Sequence, residues 1–170
     1  MPTKTFQSDL RKYVQEVDKQ CRIEMRNGLQ EIGEEWRAHY LRVVQQWSNK
    51  PQFTSRVRVP EKNTITLYVF AEGENALIWG YVDKGTKPHI IRSKGDYPLR
   101  FRGGYSARTQ PVAQYNQGDG RAHGQWVSKY QVNHPGNEAR KFGEDAEKKI
   151  RPKFDRVLNN AIRRGINRVT

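Results

Sequence analysis

The stretch Trp79-Gly80-Tyr81-Val82-Asp83-Lys84-Gly85-Thr86-Lys87-Pro88-His89-Ile90-Ile91-Arg92-Ser93-Lys94 carries the tightest local constraints in the chain. Its Asp83-Lys84-Gly85-Thr86 step reads as a sharp turn, because Gly85 can take the positive φ that ends a preceding helical or extended piece. Pro88 fixes its own φ and pushes Lys87 toward extended geometry, so a strand is expected through His89, Ile90 and Ile91. Just upstream, residues 72–80 fit either type of element, and a short helix over 75–82 that stops at Gly85 is expected. The stretch is a framework and not a catalytic site.

Downstream, Pro98-Leu99-Arg100-Phe101 leads into a polar, glycine-rich segment over 102–126 with Gly103, Gly104, Gly118, Gly120 and Gly124. A connection of that length is uncommon inside a compact domain. It reads as a long extended hairpin or flexible arm over 103–125, and strand character resumes over 126–132. His134-Pro135-Gly136-Asn137 places Pro at the second and Gly at the third position, the arrangement of a type II turn. Asn137 is then expected to cap a C-terminal helix, with Glu138 in its first turn. Along that helix, over 137–168, Phe142, Ala146, Ile150, Phe154, Leu158, Ile162 and Ile166 are expected to face inward, with Pro152 kinking or restarting it.

Upstream, Val57 and Val59 alternate with Arg56 and Arg58, and Ile65, Leu67 and Val69 alternate with Thr64, Thr66 and Tyr68. This predicts a β-hairpin that turns through Pro60-Glu61-Lys62-Asn63. Before it, apolar residues recur from Phe6 through Leu10, Val14, Val17, Cys21, Met25, Leu29, Ile32, Trp36, Tyr40 and Val43 to Trp47. The mean step of about 3.7 residues is helical and not that of a left-handed coiled coil. A helix over 5–48 is expected, started by Thr5 or Ser8 and ended by Asn49 and Pro51. Unbroken, it would run about 60 Å, against a radius of gyration of about 15 Å for a compact chain of this size. Either it breaks near Gly28 and Gly33, or it projects and lies against another subunit. Trp36, Tyr40 and Trp47 read as ordinary core or, failing that, as an intersubunit seam. The expected class is α+β in a single domain over 1–170: a long N-terminal helix, an antiparallel β-sheet over 53–133 with its arm, and a C-terminal helix.

Composition restricts the function. The 170 residues are 35% hydrophobic, a low fraction for a self-sufficient globule, and carry a formal charge of +13 with a pI near 10.0. Such a charge favours anionic partners: nucleic acid, an acidic protein face or a membrane surface. Residues 1–50 carry nine positive and seven negative groups, and residues 151–170 carry six and one, so the C-terminus is the basic end. The lone Cys21 is expected to be a small buried hydrophobe, and it cannot form a disulfide within the chain. With no apolar run of signal-peptide or membrane-spanning length, a reducing, soluble compartment and no membrane partner are expected.

No catalytic, cofactor-binding or metal residues are assigned. The histidines His39, His89, His123 and His134 have no helical i, i+4 spacing, and there is no Cys pair to build a zinc site. His89 and His134 adjoin proline turns and read as hydrogen-bonding groups that fix them. The glycines at 103–104 and 118–120 match neither a dinucleotide fingerprint nor a P-loop. Glu144, Asp145 and Glu147 beside Lys148 and Lys149 read as a solvated helix face. What remains is a basic surface interleaved with aromatics: Arg102, Tyr105, Arg108, Tyr115, Arg121 and Trp126 in the arm, then Arg151, Lys153, Arg156, Arg163, Arg164 and Arg168. It could contact phosphates without reading bases, stack on single-stranded nucleic acid, or meet protein.

The ordered set Tyr81-Val82-Asp83-Lys84-Gly85-Thr86-Lys87-Pro88-His89, then Leu99-Arg100-Phe101, then Asn133-His134-Pro135-Gly136 resembles a known family. It is similar to the tail-completion or head–tail joining (neck) proteins of long-tailed double-stranded DNA bacteriophages, over roughly the middle third of the chain and its flanks. Asp83, Gly85, Thr86, Pro88, His134, Pro135 and Gly136 would be its structural turns. Phe53-Thr54-Ser55-Arg56 stands where many relatives have Thr-Gly-x-Leu, and Asn137 replaces their usual Thr. The resemblance implies a small α+β virion protein without enzymatic activity, forming a ring in the neck between the portal side of the head and the tail tube. Hexameric symmetry is favoured. Its partners would be copies of itself, head-completion or portal-side proteins and the tail-tube protein, with possible non-specific contact to packaged DNA. It would reside in the virion, and in the host cytoplasm during assembly. A different class remains open: a stand-alone basic nucleic-acid-binding protein or ribonuclease toxin. Neighbouring genes for portal, capsid and tail-tube proteins would favour the first class.

Overall fold

The computed structural model describes residues 3–61, 64–107, 109–110, 114–115 and 118–170, with no side chain described at 3–7, 60–61, 109–110 or 114–115. The fold is α+β. Helix α1 (Thr3–Val43) is followed by strands β1 (Gln52–Glu61) and β2 (Thr64–Glu72), helix α2 (Ala76–Lys84), strands β3 (His89–Arg92), β4 (Leu99–Arg102), β5 (Thr109–Gln110), β6 (Gln114–Tyr115), β7 (Trp126–Lys129) and β8 (Gln131–His134), and helix α3 (Phe142–Asn167). In place of one sheet over 53–133, the described residues form four two-stranded pairs, β1 with β2, β3 with β8, β4 with β7 and β5 with β6. Contacts divide the chain into two compact units. One comprises Met1–His39, Thr54–Phe70 and Glu147–Thr170; the other comprises Tyr40–Phe53 and Ala71–Ala146.

In the first unit, Leu29, Ile32 and Ile150 form a buried centre, with Trp36, Val57, Ile65, Leu67, Phe154, Val157 and Leu158 packed on it. The alternation of the hairpin supplies Val57, Ile65 and Leu67 to this core. Its opposite face carries two arginine–aromatic pairs, Arg56 over Phe70 at 5.4 Å and Arg58 over Tyr68 at 5.8 Å. β1 continues through Pro60 and Glu61, both expected in the turn. Lys62 and Asn63 lie outside the described residues.

α1 does not break at its glycines. A Cβ on Gly28 would stand 2.9 Å from Val157 Cγ1, and one on Gly33 would stand 2.8 Å from Leu67 Cδ1. The glycines therefore mark where α3 and the hairpin press against α1, and packing outweighs a helix-propensity cost of about 1 kcal/mol each. Cys21 is half-buried, not fully buried. It lies under Gly165, where an added Cβ would approach its Cα to 2.6 Å, and its thiol faces the Ile162 carbonyl at 3.7 Å. Since α3 ends at Asn167, α1 has little left to pack against before Cys21. Leu10 and Val14, expected inward, are 52% and 57% exposed. Glu24 is buried, and its two oxygens meet Arg164 at 2.9 Å and Arg168 at 2.8 Å. Ser55 donates to Glu34 at 2.6 Å; that hydrogen bond, with Arg37 beside it, holds the Glu34 carboxyl below its ordinary value.

α3 runs through Pro152 without interruption in its assignment. Its inward stripe is not the expected row of fourth residues. A step of four overshoots the helical turn by about 40°, so the row drifts off the core. Ala161 and Gly165 become the buried positions, and Ile162 and Ile166 are left about 40% exposed.

The second unit is organised by Trp79. Its ring lies 4.8 Å from Tyr40, 4.8 Å from Phe53, 4.9 Å from Phe142 and 6.1 Å from Trp47. Tyr40 and Trp47 thus belong to this core, although α1 ends at Val43, well before Asn49 and Pro51. α2 ends at Gly85, whose φ is 74° and ψ 176°. Beyond it, Thr86 and Asn137 exchange backbone hydrogen bonds at 2.9 and 3.2 Å, and Thr86 Oγ1 also accepts from the Asn137 N–H at 2.9 Å. Asn137 is therefore bridged to the turn and caps nothing. α3 begins five residues later, and the Asp83 carboxylate accepts from the Gly143 N–H at 3.1 Å. Lys141 and Arg140 donate their backbone N–H groups to the Asp83 and Val82 carbonyls, each at 3.0 Å. A negative charge at a helix N-terminus favours the dipole and satisfies a free donor.

Candidate functional site

From this knot an antiparallel ribbon extends. His89 pairs with His134 and Arg92 with Gln131; Leu99 then pairs with Lys129 and Arg102 with Trp126. An isolated Tyr105–Ala122 bridge and the β5–β6 pair carry the same antiparallel sense further. The strand expected over 126–132 is interrupted at Tyr130, whose carbonyl accepts from the Ser93 N–H at 2.9 Å. At the base, His89 Nδ1 donates to the Lys87 carbonyl at 2.9 Å, and His134 Nδ1 accepts from the Gly136 N–H at 3.0 Å. The two rings stack at 5.0 Å. Gly136 has φ 86°, as the third position of a type II turn requires.

Alternation sorts the side chains of β4 and β7. Leu99, Phe101 and Val127 are half-buried, while Arg100, Arg102, Trp126 and Ser128 point to the exposed side. Register then makes Arg102 the cross-strand partner of Trp126, and the Arg100 guanidinium lies 5.9 Å from the Trp126 ring centre. Arg102 Nε donates to the Gly124 carbonyl at 2.9 Å, which orients that guanidinium. With Arg121, Ala122 and His123, these residues line a groove of about 680 Å³. Asp119 is its counter-charge: Oδ1 accepts from the Arg121 N–H at 2.9 Å, and Oδ2 meets His123 Nε2 at 2.7 Å. The Arg121 backbone hydrogen bond, followed by the nearby His123, holds the Asp119 carboxyl below its ordinary value.

Three guanidinium groups and an exposed indole on one face can bind phosphates and stack a base without reading sequence. Of the residues named from sequence, Arg102, Arg121 and Trp126 come together here. Arg100 and His123 belong with them and were missed, because only the strand register shows which residues share a face. Tyr105 lines a separate cavity with Trp47 and Arg140. Arg108 lies outside the described residues, and Tyr115 is placed in β6 without its side chain. Among the C-terminal arginines, Arg164 and Arg168 are committed to Glu24 within their own unit, and Arg163 is exposed. Lys153 pairs with Glu35. Among the described residues, no group of three or more His, Cys, Asp or Glu could hold a metal ion, and no helix is long and apolar enough to cross a membrane.

Comparison with protein-family models, with curated proteins and with solved structures finds no match.

Proposed function

We propose that this chain is a structural, non-enzymatic subunit of a bacteriophage neck or tail end, assembling with copies of itself into a ring that completes the tail or joins it to the head. The observation that supports this most is the state of the ribbon. All four residues of β3 are exposed, and Ile90, Tyr97, Trp126 and Tyr130 are each more than half exposed. A lone two-stranded hairpin is at best marginally stable in water, and it is normally covered by further strands or a helix. Neighbouring subunits would supply that cover, and the uncovered Leu10, Tyr13 and Val14 on α1 ask for the same. A hexamer, head-completion or portal-side proteins and the tail-tube protein are the proposed company, in the virion and, before it, in the host cytoplasm. The basic groove would then contact packaged DNA weakly and without sequence preference. An amber mutation in the gene tests this by electron microscopy of the lysate. Separate filled heads and finished tails, rejoined by adding the purified protein, are expected; intact particles lacking the protein would refute it.

The groove itself favours a second reading, a stand-alone nucleic-acid-binding protein or ribonuclease toxin, because the His123–Asp119 pair stands beside Arg102 and Arg121. A histidine can move protons while arginines hold a phosphate. RNA cleavage by the purified protein, lost in His123→Ala, would decide for this reading.

A further inference from the structure

The second unit carries a knob and a socket that match each other chemically. The knob is the bend between β3 and β4. Ser93 Oγ holds the Tyr97 and Gly95 carbonyls, the Ser93 N–H is bonded to Tyr130, and the Tyr130 hydroxyl reaches the Asp96 carbonyl at 3.2 Å. This well-bonded bend nevertheless projects Tyr97 outward at 85% exposure, the highest of the large exposed hydrophobic residues described. Beside it the Asp96 carboxylate has no hydrogen-bond or ion-pair partner among the described residues. The ribbon's other carboxylate, Asp119, is already paired.

The socket is a cavity of about 380 Å³ whose lining includes Trp47, Asn49, Ile78, Tyr105, Glu138 and Arg140. A cavity of about 150 Å³ already accepts benzene, so this one has room for a phenol ring with a carboxylate next to it. Its apolar wall is aromatic and aliphatic, and Asn49 and Glu138 offer acceptors to a phenol hydroxyl. Arg140 is its cation, and its Nε–H is buried with no acceptor among the described residues. As the cation of the lining, the Arg140 guanidinium is a charge-assisted donor for an incoming carboxylate.

We propose that the occupant is a second copy of this chain: Tyr97 of one copy seats in the cavity of the next, with Asp96 against Arg140. This rests on the self-assembly reading above and names the contact. Knob and socket are different surfaces, so the contact is head-to-tail, the kind that builds rings or filaments. Charge fixes the direction, and a desolvated tyrosine in a pocket is a common hot spot.

The test is self-association of the full chain, measured by sedimentation across a concentration series. Tyr97→Ala changes only an exposed side chain, and it should weaken association by about tenfold or more. Asp96→Arg and Arg140→Glu should each do the same, with thermal unfolding confirming that each variant folds. Mixing those two variants should restore association, because the residue at 96 then meets the opposite charge at 140; the double variant should also associate. Wild-type association that none of the substitutions weakens would overturn the contact and leave self-assembly standing. A wild-type chain that stays monomeric would also overturn it, whereas the amber-mutant particles judge the neck assignment independently.

Discussion

Gly85→Ala should cost about 3–5 kcal/mol, and the reason lies in the backbone around it. At φ 74° and ψ 176° the residue occupies a region almost reserved for glycine, worth about 1–3 kcal/mol of strain for any other side chain. The added methyl would stand 2.6 Å from the Asn137 carbonyl oxygen and 2.8 Å from the Ala139 nitrogen. Both are backbone atoms that cannot rotate aside, so the Thr86–Asn137 bridge must open. Its two hydrogen bonds contribute about 1 kcal/mol each. Domains of this kind are stable by only about 5–15 kcal/mol. With a urea slope of about 2 kcal/mol per M, the unfolding midpoint should fall by roughly 2 M. Gly80→Ala, five residues earlier, is the opposite control. It lies inside α2 with nothing within 4 Å of the new methyl, and it should stabilise by about 1 kcal/mol. Urea titrations of both variants, followed by tryptophan fluorescence, measure the pair. An unchanged midpoint for Gly85→Ala would refute the turn as the organising element.

Asp83→Ala removes the acceptor and the charge at the start of α3 and should cost about 1–2 kcal/mol in the same titration. Replacing Arg164 and Arg168 together by Ala leaves the Glu24 carboxylate buried without a cation, a loss of about 3 kcal/mol, whereas either change alone should cost less than half of that. Glu34 and Asp119 both have carboxyls held below their ordinary values. Their contribution to stability is therefore complete above the ordinary carboxylate range and is lost as pH falls through their lowered folded values. Ser55→Ala, which removes the main cause for Glu34, should therefore lose less stability in melting curves taken from about pH 6 to about pH 3, because the folded value moves back toward the unfolded one. Arg121→Ala should weaken binding to any DNA oligonucleotide equally and reduce the slope of log affinity against log salt by about 1; an unchanged slope would take Arg121 out of the phosphate-binding face.

The secondary structure was largely legible because it depends on short-range periodicity. The 3.7-residue step named α1, the two-residue alternation named β1 and β2, and the Gly85 turn located the end of α2 within two residues of Val82. Helix limits were less legible. α3 starts at Phe142 because a carboxylate sixty positions away caps it, and no nearby residue announces that. The glycines of α1 looked like breaks because sequence shows only their intrinsic helix cost. Their use, the close approach of Val157 and Leu67, exists only once the neighbours are in place.

For the candidate site the division is the same. The sequence by itself determined a basic chain with arginines and aromatics interleaved in a long arm, since charge and residue type are properties of each position alone. Only the tertiary structure decided which of them act together. Antiparallel register set Arg100 and Arg102 against Trp126, and a buried glutamate withdrew Arg164 and Arg168 into internal ion pairs from 140 and 144 positions away. Pairings across such separations depend on which surfaces meet when the chain folds, and local pattern carries no record of them.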